Sequence, residues 1–478
     1  MSRLSRRRFL TNSLAAAGAG VLINGTKATG NFFGANETVR VGVAGINGRG
    51  GAHIGEWAKM DDVKIIYLID PDQRLFKMRG KTKIKDGADE PKMVTDVRRA
   101  LEDKDLDAIS IATPNHWHAL MTIWACQAGK DVYVEKPCSH NIHEGRMAVE
   151  SARRYNRIVQ HGTQSRSSGG WEKVVAQIAT GKLGKLQVSR GLCYKPRGSI
   201  GFQPITSPPA DLDFDIWTGP APKHEYHGNL VHYNWHWFWD FGNGDIGNQG
   251  VHEMDKARWA IPNATLPRSV ISFGGRFGYK DQGETPNTQI ALLDFGDTQL
   301  VFEVRGLKTG KYHNQGVGNV YHLESGTFEG TKFVPNGEEK DVKLPAVEAK
   351  RGPGGGDHFR NFIEAVKSRK QADLNADILE GHYSAALIHL ANASYRLGQQ
   401  VPFNEKTRAF GDNKEAYDAL ERVQEHLKEN MVPLDGLTYQ LGEKLTIDPK
   451  TEMTTSEEAN LILKGTYRKP FVVPERVV

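Results

Sequence analysis

Cysteine is scarce in this chain of 478 residues, which contains only Cys126, Cys138 and Cys193. Three cysteines without a C-x-x-C pair cannot build a disulfide framework, and they do not predict a structural zinc site. Long apolar runs are also lacking, since the run at 14–23 is shorter than the ~20 residues that cross a bilayer. Charge is nearly balanced, with 62 Lys and Arg against 57 Asp and Glu. We therefore expect no nucleic-acid partner and no stable membrane span.

The rest of the composition is that of a globular protein. Hydrophobic residues make up 38% of the chain and charged residues 25%, and the 51 glycines follow no fixed period. At roughly 100–200 residues per domain, the length predicts two or three domains with a sizeable core.

The N-terminus carries an export pattern. Arginines at 6–8 precede Phe9 and Leu10, and the short apolar run at 14–23 follows. This order is typical of a twin-arginine signal, which directs folded proteins out of the cytoplasm. We predict a periplasmic or otherwise exported protein, with cleavage near Ala28 as one outcome and an uncleaved anchor as another. The alternative is a basic start before a buried helix.

A dinucleotide-binding pattern follows. The apolar run 39–44 predicts a buried strand, the glycine-rich turn 45–51 leads into a helix, and a second strand at 63–69 ends in Asp70. Glycine allows the backbone to approach a pyrophosphate at a helix N-terminus, and the Asp70 carboxylate suits ribose hydroxyls. The middle glycine of G-x-G-x-x-G is replaced by Asn47. The turn residues predicted to bind cofactor are Gly45, Ile46, Asn47, Gly48, Arg49 and Gly50.

The cofactor predicted from this pattern is NAD. Asp70 would repel the 2′-phosphate of NADP, although Arg49 and Arg74 could meet such a phosphate.

Two further strands end in polar loops. The strand at 108–112 runs into 113–118, and the strand at 131–134 runs into Glu135-Lys136-Pro137. Ligands bind at the carboxyl ends of strands in a doubly wound sheet. Lys136 is therefore predicted either to reach the nicotinamide pocket or to form a surface ion pair with Glu135.

The glycine turn, Asp70, the Thr113-Pro114-Asn115 loop with His118, and Glu135-Lys136-Pro137 together resemble the Gfo/Idh/MocA family of oxidoreductases. The resemblance implies an α/β fold, with an N-terminal Rossmann doubly wound parallel sheet and an α+β C-terminal domain that has an open, mostly antiparallel sheet. It implies that Lys136 is catalytic or orients substrate, and that substrates are sugars, sugar derivatives or cyclitols. The cofactor-binding residues that it adds are Thr113, Pro114, Asn115, His118, Glu135, Lys136 and Gln164.

A glycine-rich run at 242–255 carries the second set of candidate catalytic residues. Read as one helix, the run places Asp245, Asn248, His252 and Asp255 on a single face. It resembles the family's helix that ends in G-x-H-x-x-D, which supplies the acid–base histidine. Asn248 stands where the family usually has an aspartate, so His252 would carry the proton transfer with Asp245 as a replacement carboxylate. An ordinary histidine pKa near 6.5 suits that role, and a satisfied core histidine is the alternative.

An aromatic-rich stretch at 195–241 is the candidate sugar platform. Rings stack on the C–H faces of sugars, but aromatic residues also fill cores. The substrate-binding candidates are Arg166, His232, Trp235, His236 and Trp237. No metal site is predicted: His382 and His389 lie seven residues apart, a spacing more often due to core packing.

Other patterns predict the remaining architecture. Apolar runs at 289–295 and 300–304 predict a hairpin, a further strand is expected at 321–328, and amphipathic helices are expected at 357–369 and 376–397. The four predicted parts are a signal segment (1–33), a nucleotide-binding domain (38–160), a substrate and oligomerisation domain (161–400) and a helical and extended C-terminal tail (401–478). The resemblance implies a homo-oligomer formed through the second sheet.

These patterns predict an NAD(P)-dependent oxidoreductase that acts on a secondary hydroxyl of a sugar or glycoside, with C3 as one candidate carbon. Because export removes the protein from the cytoplasmic nucleotide pool, we expect a tightly bound nucleotide that is regenerated in place. One alternative is a glycoside hydrolase, lyase or epimerase that works through transient oxidation. A non-catalytic sugar or nucleotide sensor is the alternative from another class.

Overall fold

A computed structural model describes residues 37–79, 90–337, 342–348, 350–405 and 407–477. The predicted export signal lies outside these residues. No helix in the described ranges combines the length and apolar character that a membrane crossing requires.

The first sheet has six parallel strands in the order β3-β2-β1-β4-β5-β6. Its central strands β1, β4 and β5 are almost wholly buried, as expected where helices cover both sides, whereas the edge strand β3 is mostly exposed. The chain leaves β1 in one direction and β4 in the other, which creates a crevice at the carboxyl ends of these strands. The strands are β1 (Val39–Ala44), β2 (Val63–Ile69), β3 (Lys92–Val94), β4 (Ala108–Ile111), β5 (Asp131–Val134) and β6 (Val159–His161). The helices are α1 (Gly48–Ala58), α2 (Arg74–Arg79), α3 (Val97–Leu101), α4 (Asn115–Gln127) and α5 (Ile142–Arg154).

The second sheet has eleven strands and is mostly antiparallel. Its main path is β13-β12-β11-β7-β10-β9-β8-β15-β14, and β16 also pairs with β8. The pair β7–β10 is parallel. The strands are β7 (Leu186–Tyr194), β8 (Ser269–Gly275), β9 (Thr288–Asp294), β10 (Gln299–Arg305), β11 (Val317–Leu323), β12 (Gly326–Glu329), β13 (Lys332–Pro335), β14 (Gln399–Pro402), β15 (Thr438–Leu441), β16 (Leu445–Asp448) and β17 (Met453–Thr454).

Helices pack on both faces of the second sheet. The inner face packs against α9 and α11, where Met254 and Leu387 share a core with Phe302. The outer face packs against α12, where Leu420 and Val423 contact the apolar side of the strands. The helices are α6 (Gly169–Ala179), α7 (Phe214–Thr218), α8 (Gly244–Gly247), α9 (Gly250–Trp259), α10 (His358–Ser368), α11 (Ile378–Arg396), α12 (Lys414–Glu429) and α13 (Glu457–Lys464). Short 3-10 turns lie at Gln164–Ser167, Asn234–Trp237 and Gln371–Asp373.

Buried charges hold α12 on the outer face. The guanidinium of Arg190 lies 2.6 Å from Glu303 and 2.5 Å from Glu415 of the helix. Arg422, also on α12, reaches Glu303 at 2.8 Å. Removing one member of such a network would leave a buried charge without its partner, which is costly.

Segments distant in sequence complete both sheets. Helix α10 packs with Trp57 and Tyr133 in the core of the first sheet, although it follows strands β7–β13 of the second sheet in the chain. The C-terminal residues add β15 and β16 to the second sheet beside β8. The predicted hairpin is present as β9 and β10, whereas the run at 321–328, predicted as one strand, is the two-stranded hairpin β11–β12.

Candidate functional site

A cleft of about 400 Å³ opens at the carboxyl ends of the first sheet. Residues from both halves of the chain line it, as the doubly wound topology predicts. The predicted site residues that the structure brings together here are Gly45, Asn47, Gly48, Arg49, Asp70, Thr113, Pro114, Asn115, His118, Glu135, Lys136, Gln164, His232, Trp235, His236, Asn248 and His252. The predicted residues that do not line it are Ile46, Gly50, Arg166, Trp237 and Asp245.

The glycine turn has one open position and two closed ones. Gly45 has φ +76°, and a Cβ there would lie 2.6 Å from the carbonyl oxygen of Ala112. A Cβ at Gly50 would lie 1.7 Å from the carbonyl oxygen of Gly45, so Gly50 shapes the turn from behind. Gly48 has φ +42° and no atom within 4 Å of such a Cβ. The backbone is therefore bare toward the cleft at the start of α1, where a phosphate is favoured.

Asp70 lies at the end of β2, beside the turn. Its carboxylate accepts the backbone N–H of Ile46 and of Asp72, each at 3.0 Å. Burial raises the pKa of Asp70 to about 7, although these two hydrogen bonds oppose the rise. A bare helix N-terminus next to a buried carboxylate fits the pyrophosphate and ribose of a dinucleotide.

Both arginines that were candidates for a 2′-phosphate are engaged elsewhere. Arg49 forms an ion pair with Glu135 at 2.7 Å, and Arg74 binds Asp72 at 2.5 Å. Asp72 is also 2.8 Å from the ring of His232, which joins the aromatic segment to the end of β2. This arrangement suits NAD better than NADP.

Glu135 is a buried structural carboxylate. It receives hydrogen bonds from His53, Arg49 and Gln164. Burial alone would raise its pKa, but the hydrogen bond from His53 and the charges of Arg49 and Lys136 lower it well below the ordinary value. Glu135 therefore stays ionised and fixes the strand end from which Lys136 extends.

The 113–118 loop is held against the Glu-Lys-Pro segment by His118. Its ring nitrogens lie 2.6 Å from the carbonyl oxygen of Pro137 and 2.8 Å from that of Thr113. Asn115 donates to Asn243 at 2.9 Å, which ties the same loop to the second half of the chain.

Lys136 reaches across the cleft instead of pairing with its neighbour Glu135. Its Nζ donates to the backbone carbonyl of Asn248 at 2.7 Å. Burial lowers the pKa of Lys136, while the charge of Glu135 opposes that change. An ammonium has three donors, so two remain for a ligand oxygen.

The run at 242–255 is two helices, not the single helix predicted. Helix α8 ends at Gly247, Asn248 has φ −85° and ψ −89°, and α9 begins at Gly250. The break leaves Asn248 and His252 in the lining of the cleft, whereas Asp245 and Asp255 lie outside it. Asp245 binds the guanidinium of Arg197 at 2.7 and 3.0 Å and does not face the cleft. It is therefore not placed as a replacement carboxylate.

Asp255 and Arg166 form a buried pair behind the cleft. Two nitrogens of Arg166 lie 2.9–3.0 Å from Asp255, and Ser384 donates to the same carboxylate at 2.7 Å. Arg166 also lies 3.1 Å from Glu380. Arg166 thus anchors α9 and is not placed to bind substrate.

His252 faces the cleft from the first turn of α9. In the part of the chain that the structure describes, its ring has no hydrogen-bond partner and lies near Lys136. Burial, and then the charge of Lys136, lower its pKa to about 3 rather than the ordinary value near 6.5. The imidazole is therefore neutral across the physiological pH range and has a free nitrogen lone pair, but a pKa this far below 7 makes it a weaker base than an ordinary histidine.

The aromatic segment supplies one wall of the cleft. His232, Trp235 and His236 line it, and Trp235 stacks on His236 with ring centres 3.6 Å apart. Trp237 lies instead beneath the guanidinium of Arg197, which is 5.4 Å from its ring centre. Part of the predicted platform is therefore present, and part of it is packing.

Sequence reasoning missed Tyr233. It lines the cleft, and its hydroxyl accepts from Arg197 at 3.1 Å and from Asn248 at 3.3 Å. Two incoming donors leave the hydroxyl proton available for a ligand. Its place beside the predicted His232 and Trp235 was the only signal that could have identified it.

Helix α7 forms a second unpredicted wall. Ile216 and Trp217 line the cleft, and the Trp117 indole donates to the carbonyl oxygen of Trp217 at 3.0 Å. The C-terminal segment holds this helix, because the guanidinium of Arg468 donates to the Asp215 carboxylate at 2.7 Å and to the Asp215 backbone carbonyl at 2.8 Å. These contacts join residues 100 and 253 positions apart, so no local pattern reveals them.

The two histidines with metal-like spacing are separately engaged. His382 lies 3.0 Å from Glu452, and His389 lies 3.2 Å from Ser139. Within the described ranges, no three His, Cys, Asp or Glu side chains are grouped to hold a metal ion.

Comparison with known families identifies the class of protein. Residues 39–163 match the oxidoreductase family GFO_IDH_MocA, described as an NAD-binding Rossmann fold. Residues 184–272 and 348–428 match the C-terminal alpha/beta domain of the same family. The chain belongs to the Gfo/Idh/MocA oxidoreductases. The predicted family, fold class and NAD cofactor, and the prediction that the chain is an enzyme, are therefore confirmed.

Solved structures share the fold at low identity. The WlbA dehydrogenase of Bordetella pertussis, in complex with NADH and UDP-GlcNAcA, is 18% identical with a TM-score of 0.56 over 74% of this chain and 97% of that one. A putative myo-inositol dehydrogenase of Sinorhizobium meliloti is 17% identical with a TM-score of 0.50 over 75% and 97%.

Curated relatives match over a shorter stretch. A glycosyl hydrolase family 109 protein of Shewanella pealeana is 31% identical over 122 residues, which are 25% of this chain and 27% of that protein. An alpha-N-acetylgalactosaminidase of Shewanella oneidensis is 29% identical over 122 residues, with the same coverage. The chain thus matches about a quarter of the length of these relatives.

Proposed function

We propose that the protein oxidises a secondary hydroxyl of a sugar or glycoside, with NAD as the cofactor. The observation that carries the proposal is the placement of His252 beside the Lys136 ammonium in the cofactor cleft, as a neutral imidazole that has no hydrogen-bond partner among the described residues. A proton acceptor and a cationic donor that converge on one space suit removal of a hydroxyl proton.

Each residue has a defined task in this reaction. His252 accepts the hydroxyl proton, and Lys136 donates to the same oxygen while it remains tied to the Asn248 carbonyl. Tyr233 and His236 face the remaining hydroxyls of the ring. NAD, held by the bare backbone at Gly48 and by Asp70, supplies the two-electron oxidation when bound.

We further propose that the nucleotide is held tightly. Backbone hydrogen bonds join residues 211–213 to the segment that follows β2. The N–H of Gln73 donates to the carbonyl oxygen of Asp211 at 2.9 Å, and the N–H of Asp213 donates to that of Pro71 at 3.0 Å. Helix α7 follows directly and is held by Arg468. Release of a bound dinucleotide would require this wall to open, which favours slow exchange. Such retention suits the exported location that we propose from the arginine signal at the N-terminus.

A glycoside hydrolase or lyase is the second candidate. The observation that favours it is the similarity of 122 residues to an alpha-N-acetylgalactosaminidase and a glycosyl hydrolase family 109 protein. In this reaction a hydroxyl would be oxidised to a ketone by a bound NAD, which keeps the hydride, the neighbouring C–H would become acidic, and loss of that proton would expel the aglycone. In the hydrolase, water would then add to the double bond that remains, and the ketone would take the hydride back.

The test begins with purified, extensively dialysed protein. Its absorbance and fluorescence are measured before and after the addition of a panel of free sugars and aryl glycosides, and NMR identifies the products. One reduction per subunit followed by a stall indicates oxidation with a captive cofactor, and sugar release without net reduction indicates the hydrolase. Protein that emerges empty and turns over only with added NAD contradicts tight binding.

His252→Ala decides whether the cleft is catalytic. Loss of the proton acceptor should reduce the rate by about 100-fold to 10,000-fold. His313→Ala is the matched control, because His313 lies at the surface in a pair with Glu329. Ligand binding without turnover in the parent protein, unchanged in His252→Ala, would contradict the enzymatic proposal and support a sensor.

A further inference from the structure

A second cavity of about 290 Å³ lies apart from the cofactor cleft. Its lining comes from α11, the start of α5, residues near 220–240 and the C-terminal residues 461–467. None of its lining residues belongs to the lining of the cofactor cleft. The role proposed for the cofactor cleft makes no use of this space.

Three titratable side chains that face the second cavity, those of His140, His389 and Glu144, are neutral at pH 7. Burial lowers the pKa of His140 and lowers that of His389 well below the ordinary value. Burial also raises the pKa of Glu144 to about 8, so its carboxyl is protonated at pH 7. The two charged side chains in the lining, Asp240 and Arg396, have opposite signs. The cavity therefore presents no net charge to an ion.

A buried polar atom without a partner lies in this lining. The Nε2 of His389 is 3.2 Å from the Ser139 hydroxyl, but its Nδ1 has no hydrogen-bond partner although the residue is 4% exposed. Buried polar atoms are nearly always satisfied, by protein, water or ligand. This nitrogen has almost no accessible surface, so His389 borders the cavity without presenting Nδ1 to it.

Two aromatic rings border the same space. Trp239 and Tyr467 line the cavity, and the guanidinium of Arg396 lies 5.2 Å from the centre of the Trp239 ring. Aromatic bodies combined with a few neutral hydrogen-bonding groups are typical of sites for uncharged small molecules.

Asparagines connect this lining to the cofactor cleft. Asn243 faces the second cavity and accepts from Asn115, which lines the cleft, at 2.9 Å. Asn243 also donates to the His140 carbonyl at 3.1 Å, and its own carbonyl accepts from Asn392 at 3.0 Å. A hydrogen bond between two buried asparagines therefore joins the walls of the two cavities.

We propose that the second cavity binds a neutral polyhydroxylated ring, a sugar or a cyclitol, at a site separate from the cofactor cleft. The second amide N–H of Asn392, which also donates to Asn243, and the carboxylic acid of Glu144 provide its hydrogen bonds, and Trp239 and Tyr467 border the C–H faces of the ring. This site does not depend on which reaction occurs in the cleft.

The test measures binding, with glucose, N-acetylgalactosamine and myo-inositol as neutral probes and citrate as the charged comparison. Titration calorimetry is carried out on the full chain in four forms: the parent, Trp239→Ala, Thr466→Trp and Tyr233→Ala. Thr466 is exposed at the rim of the cavity, so a tryptophan there blocks the space without disturbing the core. Tyr233→Ala instead removes a hydrogen-bonding group from the cofactor cleft.

We expect at least one neutral probe to bind Tyr233→Ala as it binds the parent, and to lose about tenfold or more in affinity in both Trp239→Ala and Thr466→Trp. His313→Ala is the surface control, and retained NAD content verifies that each variant is folded. If Trp239→Ala does not fold, Thr466→Trp alone carries the comparison. The proposal is overturned if no neutral probe binds, if citrate alone binds, or if Tyr233→Ala abolishes binding that Thr466→Trp retains.

Discussion

Gly48→Ala separates cofactor binding from folding at the glycine turn. Gly48 has φ +42°, and an added methyl group would meet no protein atom within 4 Å. Its cost to the folded protein is therefore only the left-handed backbone strain, about 1–2 kcal/mol. A phosphate that approaches the bare backbone would meet the methyl group directly, so we expect affinity for NAD to fall by about tenfold or more, which is ~1.4 kcal/mol.

The matched control is Gly55→Ala, on the same helix. A Cβ at Gly55 also meets nothing within 4 Å, and its φ is an ordinary helical value. This substitution should stabilise the helix by up to about 1 kcal/mol and leave NAD binding unchanged.

The assay uses protein freed of nucleotide under mild denaturation and refolded. Urea unfolding gives the stability of the apo form, and quenching of tryptophan fluorescence gives the dissociation constant for NAD. The reasoning is refuted if Gly48→Ala loses the expected stability but binds NAD as tightly as Gly55→Ala does. That result would mean that the dinucleotide does not approach this turn.

Three further results follow from the structure. Affinity for NAD should fall as the pH drops through 7, by at most about tenfold per pH unit, because Asp70 has a pKa of about 7 and its ionised form accepts ribose hydroxyls; a pH series of binding constants checks this, and Asp70→Asn should flatten it. The contribution of Glu144 to the free energy of unfolding should decline as the pH rises from 4.5 towards 8, because its carboxyl stays protonated in the folded state up to about 8; urea titrations of the parent and of Glu144→Gln should therefore show the stability difference moving in favour of the variant over this range. Arg468→Ala should release bound NAD several-fold faster, because α7 loses its contacts with that side chain. Arg476→Ala, at an exposed position, should leave the release rate unchanged. Equal release rates in the two variants would contradict the role of Arg468 in holding α7.

Local motifs account for most of what the sequence could predict. The strand, glycine turn, second strand and Asp70 are contiguous, and each has a backbone requirement that shows in the residue types. The Lys136 position follows from its place after a buried strand, since parallel strands share one ligand-binding edge. These predictions depend on no long-range contact.

Long-range partners account for what could not be predicted. The spacing of Asp245, Asn248 and His252 is the same in one helix or in two, and the break at Asn248 becomes visible only in the backbone. Asp245 is bound by Arg197, 48 positions away, and Arg166 is bound by Asp255, 89 positions away. Sequence spacing cannot show which charges are already paired.

The depressed pKa of His252 has the same origin. Its residue type predicts an ordinary titration near neutrality, but burial between α9 and Lys136 removes it from that range. Burial of a side chain in a cleft formed by two halves of a chain is a property of the assembled fold.

Helix α12, a segment of the same chain, covers the outer face of the second sheet. A second copy that approached this face would meet the exposed side of the helix rather than the strands, because Arg190 and Glu303 are already paired with Glu415 and Arg422. The homo-oligomer that we propose would therefore have to be built on the helix itself or on the neighbouring strands β11–β13. Deleting residues 414–429 would expose an apolar surface that includes Phe273 and Leu292. We expect the exposed sheet to associate with other apolar surfaces, most readily with a second copy of the same chain.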